Sequence, residues 1–211
     1  MIRTNYELMQ LKDVNISGSS KMKIIQMFEG AINPFVKDDF FRMLIDDRMA
    51  EAIKNVKMWC MDVFDGKGVS HRRRQIYSEY KNNRKPGSDI KRSPYLQTDE
   101  DPKASMVRQM RRLSEYLETL PVTTMVIDHI EADDTIAYLT TLVRERGGQS
   151  YIMSTDLDFL QLVNDDVAVW SPTKKKLYFK NDVVEEYGVS ANNFLLYRTI
   201  TGDKGDNLPL S

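Results

Sequence analysis

Three short motifs gather seven acidic residues: Glu131, Asp133 and Asp134 in I-E-A-D-D, Asp156 and Asp158 in S-T-D-L-D-F, and Asp203 and Asp206 in T-G-D-K-G-D-N. Each motif follows an apolar or structured stretch instead of lying in a solvated acidic run. Carboxylates brought to one place repel each other and resist desolvation unless cations neutralise them. Mg²⁺ and Mn²⁺, hard ions that prefer oxygen, are the natural counter-charges. Two such ions about 4 Å apart can activate water on one side of a phosphodiester and stabilise the leaving oxygen on the other. With two histidines, His71 and His129, and one cysteine, Cys60, none at zinc spacing, the chain argues against zinc or thiol chemistry. Taken singly, each motif also has a plainer meaning. Glu131 and Asp134 can complement a helix dipole, Asp156 can cap a helix, and Asp203–Asn207 can form a turn.

Charge is distributed in keeping with that chemistry. The net charge is −1, but nine Lys/Arg against two acids lie between Lys67 and Arg92, and seven acids against two bases lie between Asp128 and Asp158. A basic strip beside an acidic pocket can hold phosphates and metal respectively. Lys81 and Arg84, with Lys67, would bring positive charge to a phosphate, Arg by two-point contact and Lys as a point charge. Arg72, Arg73 and Arg74 would steer a nucleic-acid backbone without reading sequence. Tyr77 and Tyr80 would stack on an unpaired base.

Alternating elements must position these groups. Apolar residues at helical spacing predict a helix over 37–57, and W-C-M-D-V-F-D is strand-like up to the turn D-G-K-G. Residues 83–104, rich in proline and charge, read as a long loop. Met106, Met110, Leu113, Leu117 and Leu120 predict a helix with one buried stripe. From residue 122 a strand, a helix ending at Gly-Gly, a buried strand at S-Y-I-M-S-T, a short helix and a hairpin follow. Two further helices come after them, the first capped by Asn181 and stopped by Gly188, the second ending at Gly202. The pattern predicts an α/β fold with a mainly parallel central sheet flanked by helices, and ligands in such sheets bind beyond the carboxyl ends of the strands.

Taken in order, V-F-D-G-K-G, Y-K-N-N-R, E-A-D-D, S-T-D-L-D-F and G-D-K-G-D-N resemble the 5′-nuclease or flap-endonuclease family, with a layout similar to its phage ribonuclease H branch. The resemblance runs from about residue 63 to 209. It implies a PIN-like 5′-nuclease core over 1–202, a helical arch at about 83–115, and the truncated start of a helix–hairpin–helix DNA-binding unit at 203–211. It implies metal ligation by Asp65, Glu131, Asp133, Asp134, Asp156, Asp158, Asp203 and Asp206, with Asp13 as the N-terminal ligand from a buried strand. It assigns Lys81 and Arg84 to the scissile phosphate and Tyr80 to the bound strand. Two Mg²⁺ ions are implied, with Mn²⁺ as substitute. The implied activity is 5′→3′ exonuclease and flap endonuclease cleavage of 5′-flap DNA and RNA–DNA hybrid, as in RNA primer removal during phage DNA replication. A polymerase or single-strand DNA-binding protein is the implied partner. The motif G-D-K-G-D-N is followed by L-P-L-S instead of the family's I-P-G-V, which motivates the alternative of a truncated, non-catalytic nucleic-acid-binding fragment.

Composition sets the remaining bounds. The 211 residues, 41% hydrophobic and 29% charged, suffice for a large domain with a core. No apolar run reaches the roughly 18 residues of a membrane span. The charged N-terminus does not read as a signal peptide. A lone Cys60 in an apolar segment reads as a buried thiol of a reducing compartment, so the expectation is a cytoplasmic monomer, in the host cytoplasm if phage-encoded.

Overall fold

The computed structural model describes residues 1–47, 60–65, 67–83 and 102–210, with backbone alone at 60–64 and 102–103. In chain order the elements are α1 (Ile2–Met9), α2 (Gly18–Glu29), α3 (Lys37–Asp46), β1 (Cys60–Asp65), α4 (His71–Ile76), α5 (Pro102–Thr119), β2 (Val122–Ile127) and α6 (Ala132–Glu145). They continue with β3 (Ser150–Met153), a 3-10 helix (Leu157–Leu162), β4 (Val167–Ser171), β5 (Lys176–Tyr178), α7 (Lys180–Tyr187) and α8 (Ala191–Thr201). The strand–helix alternation after residue 122 is the expected α/β arrangement. The strands form two small sheets, β1–β2 and β3–β4–β5. β3 and β4 run parallel with Ile152 opposite Val169, and β4 and β5 form the antiparallel hairpin.

The chain divides into two compact units, Met1–Ile24 with Val63–Asn83 and Val126–Ser211, and Ile25–Asp62 with Arg84–Met125. In the first unit β4 contributes Val167 and Val169 to a core that also takes Ile152, Phe159, Leu160, Val183 and Phe194. Burying each such side chain contributes roughly 1.5–3 kcal/mol. α6 turns Ala137, Leu139 and Leu142 inward, and α8 packs against α1 and the 3-10 helix. A smaller cluster of Leu8, Met9, Tyr80, Leu195 and Leu208 lies alongside. In the second unit α3 packs on α5, with Phe40 edge-on to both Phe35 and Tyr116. Asp47 at the end of α3 accepts from Arg112 Nε at 2.7 Å and from the Tyr116 hydroxyl at 2.7 Å.

Several expectations need correction. The methionine stripe is not buried: Met106, Met110 and Leu113 are exposed on α5, and Leu117 is the member that enters the core. S-Y-I-M is buried at Ile152 alone, because the alternating pleat turns Tyr151 and Met153 outward. The N-cap of α7 is Phe179, whose N–H donates to Asp182 at 2.9 Å, so Asn181 lies inside the helix. α3 ends at Asp46, and the remainder of the expected helix, with most of the expected arch, lies outside the described residues. α1, α2 and α4 were not anticipated. Among the described residues no helix is long and apolar enough to cross a membrane.

Candidate metal centre

The centre is built where β1 and β2 end. Lys67 N–H donates to Asp128 Oδ1 at 2.9 Å, and His129 N–H donates to the Lys67 carbonyl at 2.7 Å, so the two exit loops are strapped together. Gly68, with φ +69°, leaves the space this requires, since a Cβ there would lie 2.6 Å from His129 Nδ1. Asp65, the last residue of β1, accepts the Ala132 N–H at 2.7 Å and so satisfies one of the orphan donors at the start of α6. Glu131 occupies the N-cap position of α6, but its side chain makes no capping bond. It turns inward instead.

Glu131 is 3% exposed and Arg73, from α4, is 6% exposed. Arg73 Nη1 pairs with Glu131 Oε2 and lies 2.9 Å from Asp133 Oδ2, while Nη2 lies 3.2 Å from Asp134 Oδ1. Lys81 Nζ adds a second cation 2.9 Å from Glu131 Oε2. The Tyr80 hydroxyl lies 3.2 Å from Glu131 Oε2 and 3.1 Å from Asp206 Oδ2, which links the α6 acids to the C-terminal motif. The turn carrying Tyr80 and Lys81 docks on that motif: Lys81 N–H donates to the Asp206 carbonyl, Asn83 Nδ2 to the Lys204 carbonyl and Asn207 Nδ2 to the Glu79 carbonyl. Lys81 sits at φ 57°, a left-handed conformation that a lysine adopts only when its surroundings impose it.

A second arginine organises the other acids. Arg198 Nε lies 2.7 Å from Asp158 Oδ1, and its Nη2 pairs with Asp203 Oδ2. Asp203 Oδ1 accepts the Gly205 and Asp206 N–H groups, closing the turn. Asp156 Oδ1 caps the 3-10 helix through the Asp158 N–H at 2.9 Å. The plainer roles of these acids, cap and turn, therefore coexist with their pairing to one arginine and to each other's backbone. Burial raises Asp134 to about 6, with Asp133 adding to it and Arg73 opposing it. Burial raises Asp158 to about 7, reinforced by Asp156 and opposed by Arg198. Asp156 is also raised, by burial and by the charges of Asp133 and Asp206. Burial works against the charge of Arg73, yet Asp133 and Asp134 carry its pKa well above the ordinary value.

The donor chemistry fits a hard divalent cation. Every candidate ligand is a carboxylate oxygen, and Glu131 Oε1 is buried with no hydrogen-bond partner, a lone pair that a cation would satisfy. The carboxylates are spread around the guanidinium groups, and among the described residues no three acids converge on one point.

The expected site residues separate on this structure. Glu131, Asp133, Asp134, Asp158, Asp203, Asp206 and Lys81 join the network, and Asp65 and Asp156 adjoin it. Asp13 does not: the segment expected as a buried strand is irregular chain that follows α1, and Asp13 is exposed in it, its N–H bonded to Gln10 Oε1. Arg73 and Tyr80 lie in the interior, so Arg73 cannot steer a nucleic-acid backbone and Tyr80, at 1% exposure, has no open ring face for a base. Arg72 donates to the Asn15 carbonyl at 2.9 Å and Arg74 to the Tyr80 carbonyl at 3.4 Å. Lys67 is exposed in the strapped loop, and Arg84 lies outside the described residues. Arg198 and Gln161 were missed. A last-turn arginine is common as a dipole complement and carries no distinguishing signal. Gln161 hid in the apolar run D-F-L-Q-L-V.

The site thus belongs to an α/β core that places acids after its strands. The chain belongs to the family of the 5′-3′ exonuclease N-terminal resolvase-like domain, whose model matches residues 37–188. It is 28% identical over 165 residues to a 5′-3′ exonuclease of Buchnera aphidicola, covering 78% of this chain and 52% of that one. It is 28% identical over 168 residues to the flap endonuclease Xni of Shewanella amazonensis, covering 77% and 60%. The chain spans about half the length of the curated relatives it matches. Among solved structures, the 5′-exonuclease of T5 with bound divalent metal ions (zinc) has a TM-score of 0.54 at 24% identity, covering 90% of this chain and 66% of that one. A bacteriophage T5 flap endonuclease in a pseudo-enzyme–product complex with DNA and metal ions has a TM-score of 0.54 at 22% identity, covering 94% and 64%. At these identities the two structures share the fold.

Proposed function

We propose that the chain carries the catalytic core of a divalent-metal-dependent 5′→3′ exonuclease and flap endonuclease. It hydrolyses phosphodiester bonds in DNA and in RNA–DNA hybrids and serves RNA primer removal in phage DNA replication, in the cytoplasm of the host. The observation that carries this reading is the meeting, in a member of this family, of Glu131 from the start of α6 and Asp206 from the Asp203–Asp206 turn on the Tyr80 hydroxyl, with Lys81 Nζ also on Glu131.

Glu131, Asp133, Asp134, Asp156, Asp158, Asp203 and Asp206, with Asp65 at the rim, would hold divalent cations. Bound there, such ions would polarise the phosphate and lower the pKa of a ligated water. Lys81 holds a point charge beside the acids from a fixed backbone and meets the charge that develops on the phosphate. Lys67, exposed on the loop after β1, and Arg72, half-buried on α4, suit backbone phosphates without sequence preference.

One observation favours a second reading. Two arginines already pair with five of the acids, as befits a nucleic-acid-binding fragment that does not cleave. Incubating the whole chain with a 5′-labelled flap duplex and a 5′-labelled RNA–DNA hybrid, with Mg²⁺ or with chelator, separates the two. Products that require Mg²⁺ support the nuclease. Retarded but intact substrate in both conditions supports the binding fragment.

A further inference from the structure

Arg73 is the hub of one half of the acidic cluster. Its Nη1 serves Glu131 and Asp133, its Nη2 serves Asp134, and its side chain is 7% exposed. A guanidinium is planar, permanently charged and presents donors in a rigid fork, so the carboxylates around it stand at hydrogen-bond distance along its edges. A Mg²⁺-sized ion requires oxygens about 2.1 Å from one centre. The same oxygens cannot meet both geometries at once. Arg73 also does not satisfy the cluster fully, since Glu131 Oε1 is left buried and without a partner.

We propose that Arg73 is a built-in counter-ion that holds Glu131, Asp133 and Asp134 in the metal-free protein and competes directly with a divalent cation for them, so that metal enters only as the guanidinium withdraws. The proposal rests on the metal-dependent reading above. Its consequences have opposite signs. Arg73 stabilises the metal-free fold, because removing it leaves three acids with Lys81 as their remaining cation in direct contact among the described residues. Arg73 also weakens metal binding, because it occupies the ligand oxygens. A residue with a merely structural role would weaken both stability and metal binding when removed.

Mn²⁺ affinity of the whole chain, read by calorimetry, and Tm in chelator and in Mn²⁺ test this with Arg73→Gln, Arg73→Lys and Arg72→Gln. Arg73→Gln is expected to bind Mn²⁺ about tenfold tighter or more, with a Tm lower than wild type in chelator and restored by Mn²⁺. Arg73→Lys, whose point charge cannot span three carboxylates, is expected to bind Mn²⁺ tighter than wild type by a smaller factor. It carries the test should the glutamine variant not fold. Arg72→Gln removes the same charge one residue away without vacating the cluster, and its affinity is expected to change less than about threefold. Mn²⁺ binding that is unchanged or weaker in the Arg73 variants overturns the proposal. So does an equal gain in Arg72→Gln, which would reduce the effect to a general field. Absence of Mn²⁺ binding in wild type and variants alike would overturn the metal-dependent reading itself, whereas binding by wild type without a gain in the variants overturns this inference alone.

Discussion

The side-chain amide of Gln161 donates to the Met9 carbonyl at 2.8 Å, and its oxygen accepts the Leu11 N–H at 2.9 Å. The amide thus reads an extended backbone segment as a neighbouring strand would, and it donates as well to the Asp158 carbonyl at 2.8 Å. The chain entering the fold after α1 is thereby fixed to the 3-10 helix that carries Asp158. Gln161→Leu keeps the volume but leaves the Met9 carbonyl and Leu11 N–H buried without partners, and it is expected to destabilise the fold by about 2–3 kcal/mol. Urea unfolding measures it, and an unchanged midpoint would show that these backbone groups find other partners.

Asp134→Asn and Asp156→Asn are expected to abolish cleavage with the fold retained, as checked by circular dichroism alongside the flap assay. Lys81→Ala is expected to lower the single-turnover rate by about 10²-fold or more while changing flap Kd by only a few-fold, because its charge serves the transition state more than the ground state. A change confined to Kd would make Lys81 a docking residue.

Gly202 ends α8 at φ 68° and ψ −176°, a region nearly restricted to glycine, and a Cβ there would lie 2.5 Å from the Leu208 carbonyl oxygen. Gly202→Ala is expected to cost about 2 kcal/mol or more of stability, through both backbone strain and displacement of the bridge between Asp203 and Leu208. Thermal melts of the variant test this, and a Tm within a degree or so of wild type would contradict it.

On the hairpin, Lys174 and Lys176 both bond Glu186, which also accepts from the Tyr178 hydroxyl at 2.8 Å. Those bonds hold the Glu186 pKa down at about 2, against an ordinary 4.5. Because the folded-state value is depressed, its contribution to stability is present above pH 4.5 and is lost as pH falls toward 2. The Tm difference between wild type and Glu186→Gln should therefore be constant from pH 7 to about 5 and shrink below that. A difference that persists undiminished at the acid end would contradict the ion-pair origin.

The acidic motifs were legible because strand ends, helix starts and tight turns announce themselves locally. Beta-branched runs marked β2 and β4, and Gly188 and Gly202 marked helix stops. What local pattern could not convey is which charge faces which. R-R-R reads as three equivalent surface residues, but α4 turns only Arg73 inward, and a six-residue helix has no long apolar stripe to reveal that face. Tyr80 likewise reads as available to a base, whereas the fold places its hydroxyl between Glu131 and Asp206. The exposure of Asp13 and of the α5 methionines reflects tertiary placement that spacing alone does not fix.

Lys81 spends its two ends on different parts of the chain: its backbone N–H on the Asp206 carbonyl and its ammonium on Glu131. The left-handed backbone fixes where the side chain leaves the chain, and its four rotatable bonds carry the ammonium to Glu131. A ligand that drew the ammonium off Glu131 would leave the backbone bond to Asp206 in place. Two acidic segments 75 residues apart, at 131 and 206, are in this way bridged by the two ends of one lysine.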